Sequence, residues 1–281
     1  MTTPRTALVT GANQGIGRAI VTELARRWTP ADRVLLTGRD ADRVAAAVRE
    51  IGHPGARVEG GVLDVGDPVA IAAFARDLGP VDVVFSNAAT RLTPDRPQAD
   101  QAGEFVAVAN GATHAMLREV LPNLRPGGRF IVVASGFGQL HNLPEHLRPR
   151  FDGATLDEVE RVVDGWLAAV LAGSAAAEGW PELINTTSKI AQVAAVRAVA
   201  RERRDADLAA GTLIASVCPG LVDTPASRPW FDDFSQARTP AQAATALLDF
   251  VLAAPPRAEI YGELVRDGGV LPWKHDHPGA R

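Results

Sequence analysis

Asn185 and Lys189, in the stretch ELINTTSKIAQV (182–193), are the first residues in the chain whose types and spacing suggest chemistry. The stretch reads as the opening of an amphipathic helix, and a separation of four puts both side chains on one face. The chain has 29 basic residues but only two lysines, Lys189 and Lys274. In a sequence that otherwise writes positive charge as arginine, an ammonium at 189 points to a need for a compact, strongly donating cation. A second signal is TGANQGIG, Thr10 to Gly17. Gly11, Gly15 and Gly17 let the backbone turn sharply and approach a pyrophosphate, with Asn13, Gln14 and Ile16 completing the turn. Because the motif follows an apolar strand and opens a helix, helix N–H groups and the positive dipole end would face the phosphates.

The end of the second strand selects between nicotinamide cofactors. A carboxylate there would bind the ribose diol and repel a 2′-phosphate. The stretch is LLTGRD, with Gly38 in the acid's place and Arg39 next, whose fork suits phosphate. NADPH/NADP is therefore favoured over NADH, and Asp40 is read as a helix cap. The formal net charge is −4 with no basic stripe, which argues against nucleic acid as a partner. The single cysteine excludes an internal disulfide framework, and the chain shows no GxSxG, no HExxH and no metal-ligand spacing. The opening MTTPRTALVTGANQ lacks the apolar run of a signal peptide or membrane span, so a cytoplasmic protein acting on a small molecule is expected.

Positioning these groups requires a particular frame. TALVT (6–10), RVLLT (33–37), RVEGGVL (57–63), DVVFS (82–86), RFIVVA (129–134), TLIASVC (212–218) and EIYGELV (259–265) read as strands. They are rich in Val, Ile and Leu and mostly non-alternating, as in sheets covered on both faces. Helices lie between them, with Asp67-Pro68 starting one and Gly79 ending it. The pattern predicts an α/β, Rossmann-like doubly wound domain over 1–281, with seven mostly parallel strands, helices on both faces, and ligands at the carboxyl ends of the strands. About residues 139–183 exceed what a crossover needs. Within them, TLDE (155–158) is a capping box, Leu156, Val159, Val163, Trp166, Leu167 and Val170 share one face, and Gly173 stops the helix. A lid or pocket wall and an added packing helix are equally compatible with this insertion.

Taken together, these motifs resemble the short-chain dehydrogenase/reductase family over nearly the whole chain. The resemblance implies that Asp64 and Val65, in LDV, face the adenine, that Asn87, in SNAA, ends the fourth strand at the cofactor, and that Asn110 kinks a helix and holds a water. It implies that Ser135, in IVVASGFG, is the active-site serine and that Lys189 grips the nicotinamide ribose. In CPGLVDT (218–224), Pro219 and Gly220 would lie beside the nicotinamide, with Val222 and Thr224 holding its carboxamide. The subgroup most similar is the monomeric carbonyl reductases, through the long insertion, EGWP at 178–181 and GELVRDGGVLPW at 262–273. A monomer or small homo-oligomer is expected on that resemblance.

The chain departs from the family at one position. The family's Tyr-x-x-x-Lys is NTTSK here, with Asn185 in place of the tyrosine, and the single tyrosine, Tyr261, sits far along the chain. A carboxamide hydrogen-bonds to a developing alkoxide but delivers no proton, and losing a general acid costs about 10²–10⁴ in rate. Three readings follow. The electrophile is already cationic, an iminium or a hemiaminal that becomes one, with Ser135, Asn185 and Lys189 orienting the departing oxygen. Or another acid, His141 or His146 first and Asp152 or Glu145 less readily, serves a ketone or aldehyde, with His114 read as structural. Or the protein binds NADPH without hydride chemistry.

Overall fold

The computed structural model describes residues 3–254 and 257–274. Eight strands form one sheet: β1 (Thr6–Val9), β2 (Arg33–Gly38), β3 (Arg57–Val62), β4 (Val81–Ser86), β5 (Leu124–Val133), β6 (Leu213–Val217), β7 (Leu264–Arg266) and β8 (Gly269–Leu271). Their order is β3-β2-β1-β4-β5-β6-β7-β8. The seven expected strands pair in parallel. The eighth, β8, goes beyond the seven-strand expectation; it pairs antiparallel to β7 through a tight turn in which Asp267 adopts a left-handed φ of 51°. At three residues and mostly exposed, β8 carries too little apolar pattern to be legible. The last parallel strand starts at Leu264, not 259, because Ala258–Ile260 form a 3-10 turn, so Tyr261 precedes that strand. Residues of β1 and β6 are buried on both faces, whereas the edge strand β3 is half exposed.

Helices cover the sheet: α1 (Gly15–Arg27), α2 (Ala41–Ile51), α3 (Pro68–Leu78), α4 (Gln98–Val106), α5 (Ala112–Ala115), α6 (Leu156–Ala172), α7 (Ile184–Ala209) and α8 (Pro240–Val251). Asp40 caps α2 by accepting from Arg43 N, and Asp67 caps α3 with Pro68 at its first position. Helix α1 packs on α8, and the stretch 98–120 packs on α3 and α7. That stretch is not uniformly α-helical. Ala107–Gly111 and Met116–Val120 are π turns on either side of α5, a geometry often found at functional sites. Among the described residues, no helix is long and apolar enough to cross a membrane.

The insertion divides in two. The Thr155–Glu158 capping box and a left-handed Gly173 bound α6, with Val159, Val163, Trp166 and Val170 buried and Leu156 and Leu167 partly buried. Helix α6 packs against α4 and α7. Its Trp166 meets Trp180 of the EGWP motif at 6.3 Å between ring centroids, and Trp180 meets Phe151 edge-on at 6.5 Å. The earlier part of the insertion is tied to the chain beyond β8. Leu140 N donates to Trp273 O at 2.9 Å, Gln139 Nε2 to Pro272 O at 3.0 Å, and Trp273 Nε1 to Asp152 Oδ1 at 3.2 Å.

One buried carboxylate anchors the sheet's first two strands. Asp32 accepts from Arg5 N at 2.8 Å, Arg5 Nη2 at 2.9 Å, and from Thr29 N and Oγ1, both at 2.9 Å. Burial pushes its carboxyl up, but the donors from Arg5 and Thr29 outweigh burial and hold it well below the usual carboxylate range. A depressed folded-state value adds stability that is complete above the unfolded carboxyl's titration near pH 4 and is lost progressively below it. Asp32→Asn is therefore expected to lose about 1–2 kcal/mol at pH 7. Its deficit relative to the parent should shrink as pH falls below about 4, read from urea midpoints at both pH values.

Candidate active site

The site assembles where the sheet order reverses. Strand β1 lies between β2 and β4, so their carboxyl ends open a crevice at the switch point. The turn after β1 enters α1 here, with Gly11 and Gly15 at φ of 61° and 59°. A Cβ on Gly11 would lie 2.6 Å from Ala88 Cα, so side chains are excluded there by the backbone of the β4 end. Gly15, by contrast, meets nothing closer than Thr224 Cγ2 at 4.0 Å and faces open space. Thr10 and Asn87 lock the two strand ends together. Asn87 N and Ala88 N donate to Thr10 Oγ1, and Asn87 Nδ2 donates to Thr10 O at 2.9 Å. This turn, with its unfilled approach to the α1 amino terminus, fits a pyrophosphate.

The residues expected at the adenosine end occupy the neighbouring strand ends. Arg39 follows β2, exposed, with Nη1 donating to Glu104 Oε1 at 2.8 Å. A Cβ on Gly38 would lie 3.0 Å from Asn13 Oδ1, so a larger side chain there would press on the glycine turn. Arg43, absent from the sequence-based site, donates to Gln14 Oε1 at 2.5 Å and puts a second guanidinium beside Arg39's turn. Its signal is its place four residues after Arg39, on the α2 face. Asp64 Oδ1 accepts from Gly66 N at 2.9 Å, shaping the turn after β3, and Val65 is buried.

Next to this end lies a cleft of about 740 Å³, whose walls include Ile16, Ser135, Asn185, Lys189, Gly220, Val222 and Thr224 from the expected residues. Pro219 is buried behind them at the β6 end. The remaining lining is largely apolar, with Leu92, Phe105, Phe137, Leu183, Trp230 and Phe231, and with Arg91 and Arg266 as its cations. Within the insertion, Gln139, Asn142 and Leu183 supply wall, while no residue of α6 lines it. Ser135 follows β5 by two residues, and its Oγ accepts from Phe137 N at 3.3 Å. Asn185 stands in the first turn of α7, and its carboxamide makes no hydrogen bond within the described residues.

One turn further along α7, Lys189 Nζ donates to Gln192 Oε1 at 2.6 Å and to Val133 O at 3.5 Å. Burial pushes its ammonium down to about 8, only slightly offset by the nearby Cys218. Asn110 is fully buried and does not line the cleft. Its Nδ2 donates to Ser188 O at 2.9 Å, and its Oδ1 accepts from Ser188 Oγ at 2.8 Å. Its carboxamide thus fastens the π turn to α7 with one N–H and one oxygen lone pair. Asn110, expected among the catalytic residues, stands outside the cleft lining and ties the π turn to α7.

The candidate substitute acids lie elsewhere. Neither His141 nor His146 lines the cleft, and His146 Nε2 pairs with Glu178 O at 3.1 Å. Asp152 pairs with Lys274 and Trp273, and it borders smaller grooves beside α6 and α7. Glu145 is exposed and outside the cleft. His114 is buried near Glu160, and burial pushes it down to about 4, so it is neutral and structural, as expected. Tyr261 is buried and donates to Asp207 Oδ2 at 2.6 Å, which with burial pushes its phenol well above 10. Among the described residues, no group of three His, Cys, Asp or Glu side chains could hold a metal ion.

A glycine-bent turn at the switch point and a cleft lined by a half-buried lysine define a dinucleotide-binding α/β protein. Residues 5–144 match the family model described as short chain dehydrogenase. Carbonyl reductase (NADPH) 3 of Mus musculus is 32% identical over 279 residues, spanning 96% of this chain and 98% of its own. The carbonyl reductase (NADPH) 3 of Homo sapiens is 33% identical, with the same 96% and 98% coverage. Salutaridine reductase from Papaver somniferum shares the fold, with a TM-score of 0.76 over 92% of this chain and 99% of that one at 22% identity. The chain belongs to the short-chain dehydrogenase family.

Proposed function

We propose that the protein is an NADPH-dependent reductase acting on an iminium or hemiaminal carbon of a sizeable, largely apolar metabolite. The observation that carries the reading is the set of side chains at the reacting end of the cleft. Ser135, Asn185 and Lys189 line the cleft together, the resemblance puts the Asn185 carboxamide where the family carries its phenol, and the histidines and carboxylates proposed as replacements line no part of the cleft. NADPH is supported by relatives that carry it in their names and by Arg39 and Arg43 at the β2 end.

Bound in the crevice, NADPH supplies a hydride to an electrophilic carbon. The glycine turn would hold its pyrophosphate, Asn87 would fix the strand end beneath it, and Lys189 would hold the ribose. Asp64 and Val65 would face the adenine, and Val222 and Thr224 the carboxamide. Hydride addition to an iminium carbon moves the C=N electron pair onto nitrogen and gives a neutral amine, so no proton is required at the reacting atom. With a hemiaminal, the C–O bond breaks first, and Ser135 Oγ and the Asn185 carboxamide are placed to hydrogen-bond the departing oxygen. Leu183, Phe137, Trp230 and Phe231 would give the cationic carbon an apolar wall.

A second reading, carbonyl reduction, is favoured by the names of the relatives and by the lowered Lys189 ammonium. In it, the oxygen that gains the C=O electron pair takes its proton from Lys189, and activity falls as pH rises through about 8. The deciding experiment follows NADPH oxidation with a cyclic iminium and its matched cyclic ketone in parallel. Turnover of the iminium at least about 100-fold faster supports the first reading. Comparable or faster ketone turnover replaces it with the second, and tight NADPH binding without turnover of either rejects both.

A further inference from the structure

Gln192 lies three residues after Lys189 on the inward side of α7 and is 3% exposed. A buried carboxamide must find partners for its donors and its acceptor. Here Nε2 donates to Ala109 O and to Thr113 Oγ1, each at 2.9 Å, while Oε1 accepts from Lys189 Nζ at 2.6 Å. Thr113 gives its own hydroxyl proton to Ala109 O at 2.7 Å, so toward Gln192 it offers lone pairs alone. Reversing the carboxamide would set its oxygen against the Ala109 carbonyl and its N–H groups against an ammonium. The orientation is therefore dictated by its neighbours, and Oε1 faces Lys189.

Ala109 lies in the π turn Ala107–Gly111 and Thr113 in α5. The same π turn is fastened to α7 a second time by Asn110 and Ser188. These two links run in parallel, and only the Gln192 link ends on the ammonium. With one N–H of Lys189 held by Gln192 and a weaker one by Val133 O, the remaining donor capacity faces the cleft beside Ser135 and Asn185. We propose that Gln192 is a positioning residue for Lys189, transmitting the rigidity of the π turn to the ammonium and fixing which of its N–H groups face the cleft. The placement of Lys189 stands on geometry alone, and its consequence for cofactor binding rests on the reading of Lys189 as the ribose-holding group.

The surroundings isolate this contact. The groups that bond Lys189 Nζ, Gln192 Oε1 and Val133 O, are neutral, as are Ser135 and Asn185, which share the cleft wall with it. Cys218 at the β6 end is the titratable group that acts on it. His114, next to Thr113, interacts with Glu160 and Arg118 instead, and Arg91 and Arg266 are cleft cations at large. No carboxylate among the described residues bonds to Nζ, so a neutral acceptor is what orients this cation.

Because Lys274 is the only other lysine, the test can address Lys189 directly. The full-length protein is labelled with trace acetic anhydride across a pH series, and acetylation of Lys189 and Lys274 is read by mass spectrometry. NADPH dissociation constants are measured by fluorescence on the same samples. Gln192→Leu is expected to speed Lys189 labelling several-fold near pH 8, because the ammonium loses its acceptor, and to weaken NADPH binding about tenfold. Gln192→Glu should slow the labelling about tenfold by placing a carboxylate beside the ammonium. Thr113→Val, which removes one of the two acceptors holding Gln192, should move both readouts part of the way and serves if Gln192→Leu fails to fold. Lys274 labelling stays constant throughout. Unchanged Lys189 labelling in folded Gln192 variants overturns the proposal, as does tighter NADPH binding by Gln192→Leu, which would make Gln192 a competitor of the ribose. Failure of the parent to bind NADPH would sink the reductase reading, while the labelling would still decide the role of Gln192.

Discussion

Asn185→Tyr is expected to raise reduction of a matched ketone by about 10²–10⁴-fold, the range a positioned general acid contributes. The substitution changes little else. Asn185 has no hydrogen bond to lose within the described residues, it points from the first turn of α7 into the cleft, and the apolar lining has space for a ring. The Lys189 ammonium, one helical turn away, would favour the ionised phenol and bring its ordinary value of about 10 down toward neutrality. Iminium reduction should change by far less, because no proton goes to the reacting atom. The check is kcat/KM for the ketone and the iminium in parent and variant. A ketone gain below about tenfold, with NADPH binding intact, would show that cleft shape rather than proton supply bars ketones.

Gly17→Val is expected to abolish cofactor binding, weakening NADPH affinity by about 100-fold or more, and to destabilise the fold by about 1–3 kcal/mol through overpacking. Gly17 has an ordinary backbone conformation, so the requirement comes from proximity. A Cβ there would overlap Asn87 Nδ2 and lie 2.8 Å from Gly11 O and 3.0 Å from Ala12 Cα. Those atoms belong to the strand ends that form the crevice. Two are backbone, and Asn87 Nδ2 is itself held by Thr10 O, so none can readily yield. Gly52→Ala supplies the control. Gly52 has φ of 65° at the end of α2 with nothing within 4 Å of a Cβ, so it should show only the strain of a left-handed residue, about 1 kcal/mol, and retain NADPH affinity. Thermal unfolding and fluorescence titration of the two variants separate strain from occlusion. Equal losses of affinity would sever the link between the Gly17 contact and the phosphate site.

The parallel frame is legible in the sequence because its signals are local. Val- and Leu-rich runs mark β1 to β6, Asp40 and Asp67 mark helix starts, and the Thr155–Glu158 pair marks α6 to the residue. Resemblance carries Ser135, Lys189 and the Val222–Thr224 segment to one cleft wall. What escapes depends on contacts between distant segments. The resemblance implies a kink at Asn110, but the bond from Asn110 to Ser188, 78 residues away, that accompanies the π turn at Ala107–Gly111 is announced by no periodicity. His141 and His146 are near Ser135 in sequence, but the 3-10 turns of 140–142 and 145–150 carry them away from the cleft. Gln192 is visible in the stretch 182–193 as a polar residue on a buried face, a pattern able to flag it. The packing side of α6 is not readable, because an amphipathic helix specifies that it is covered and not by what.

The tie between the insertion and the segment after β8 has a consequence for biosynthesis. Gln139 bonds Pro272 across 133 positions, and Asp152 bonds Trp273 across 121. During vectorial synthesis, β1 to β5 with their helices emerge from the ribosome well before residues 272 and 273 exist. The crevice for the dinucleotide can therefore close on a nascent chain whose 139–152 wall still lacks its fastenings. A ribosome stalled before codon 272 would display such an intermediate, with the apolar cleft open and its wall loose. Chaperone capture and protease sensitivity at 139–152 should then persist until residues 272 and 273 emerge from the ribosome and end once they do.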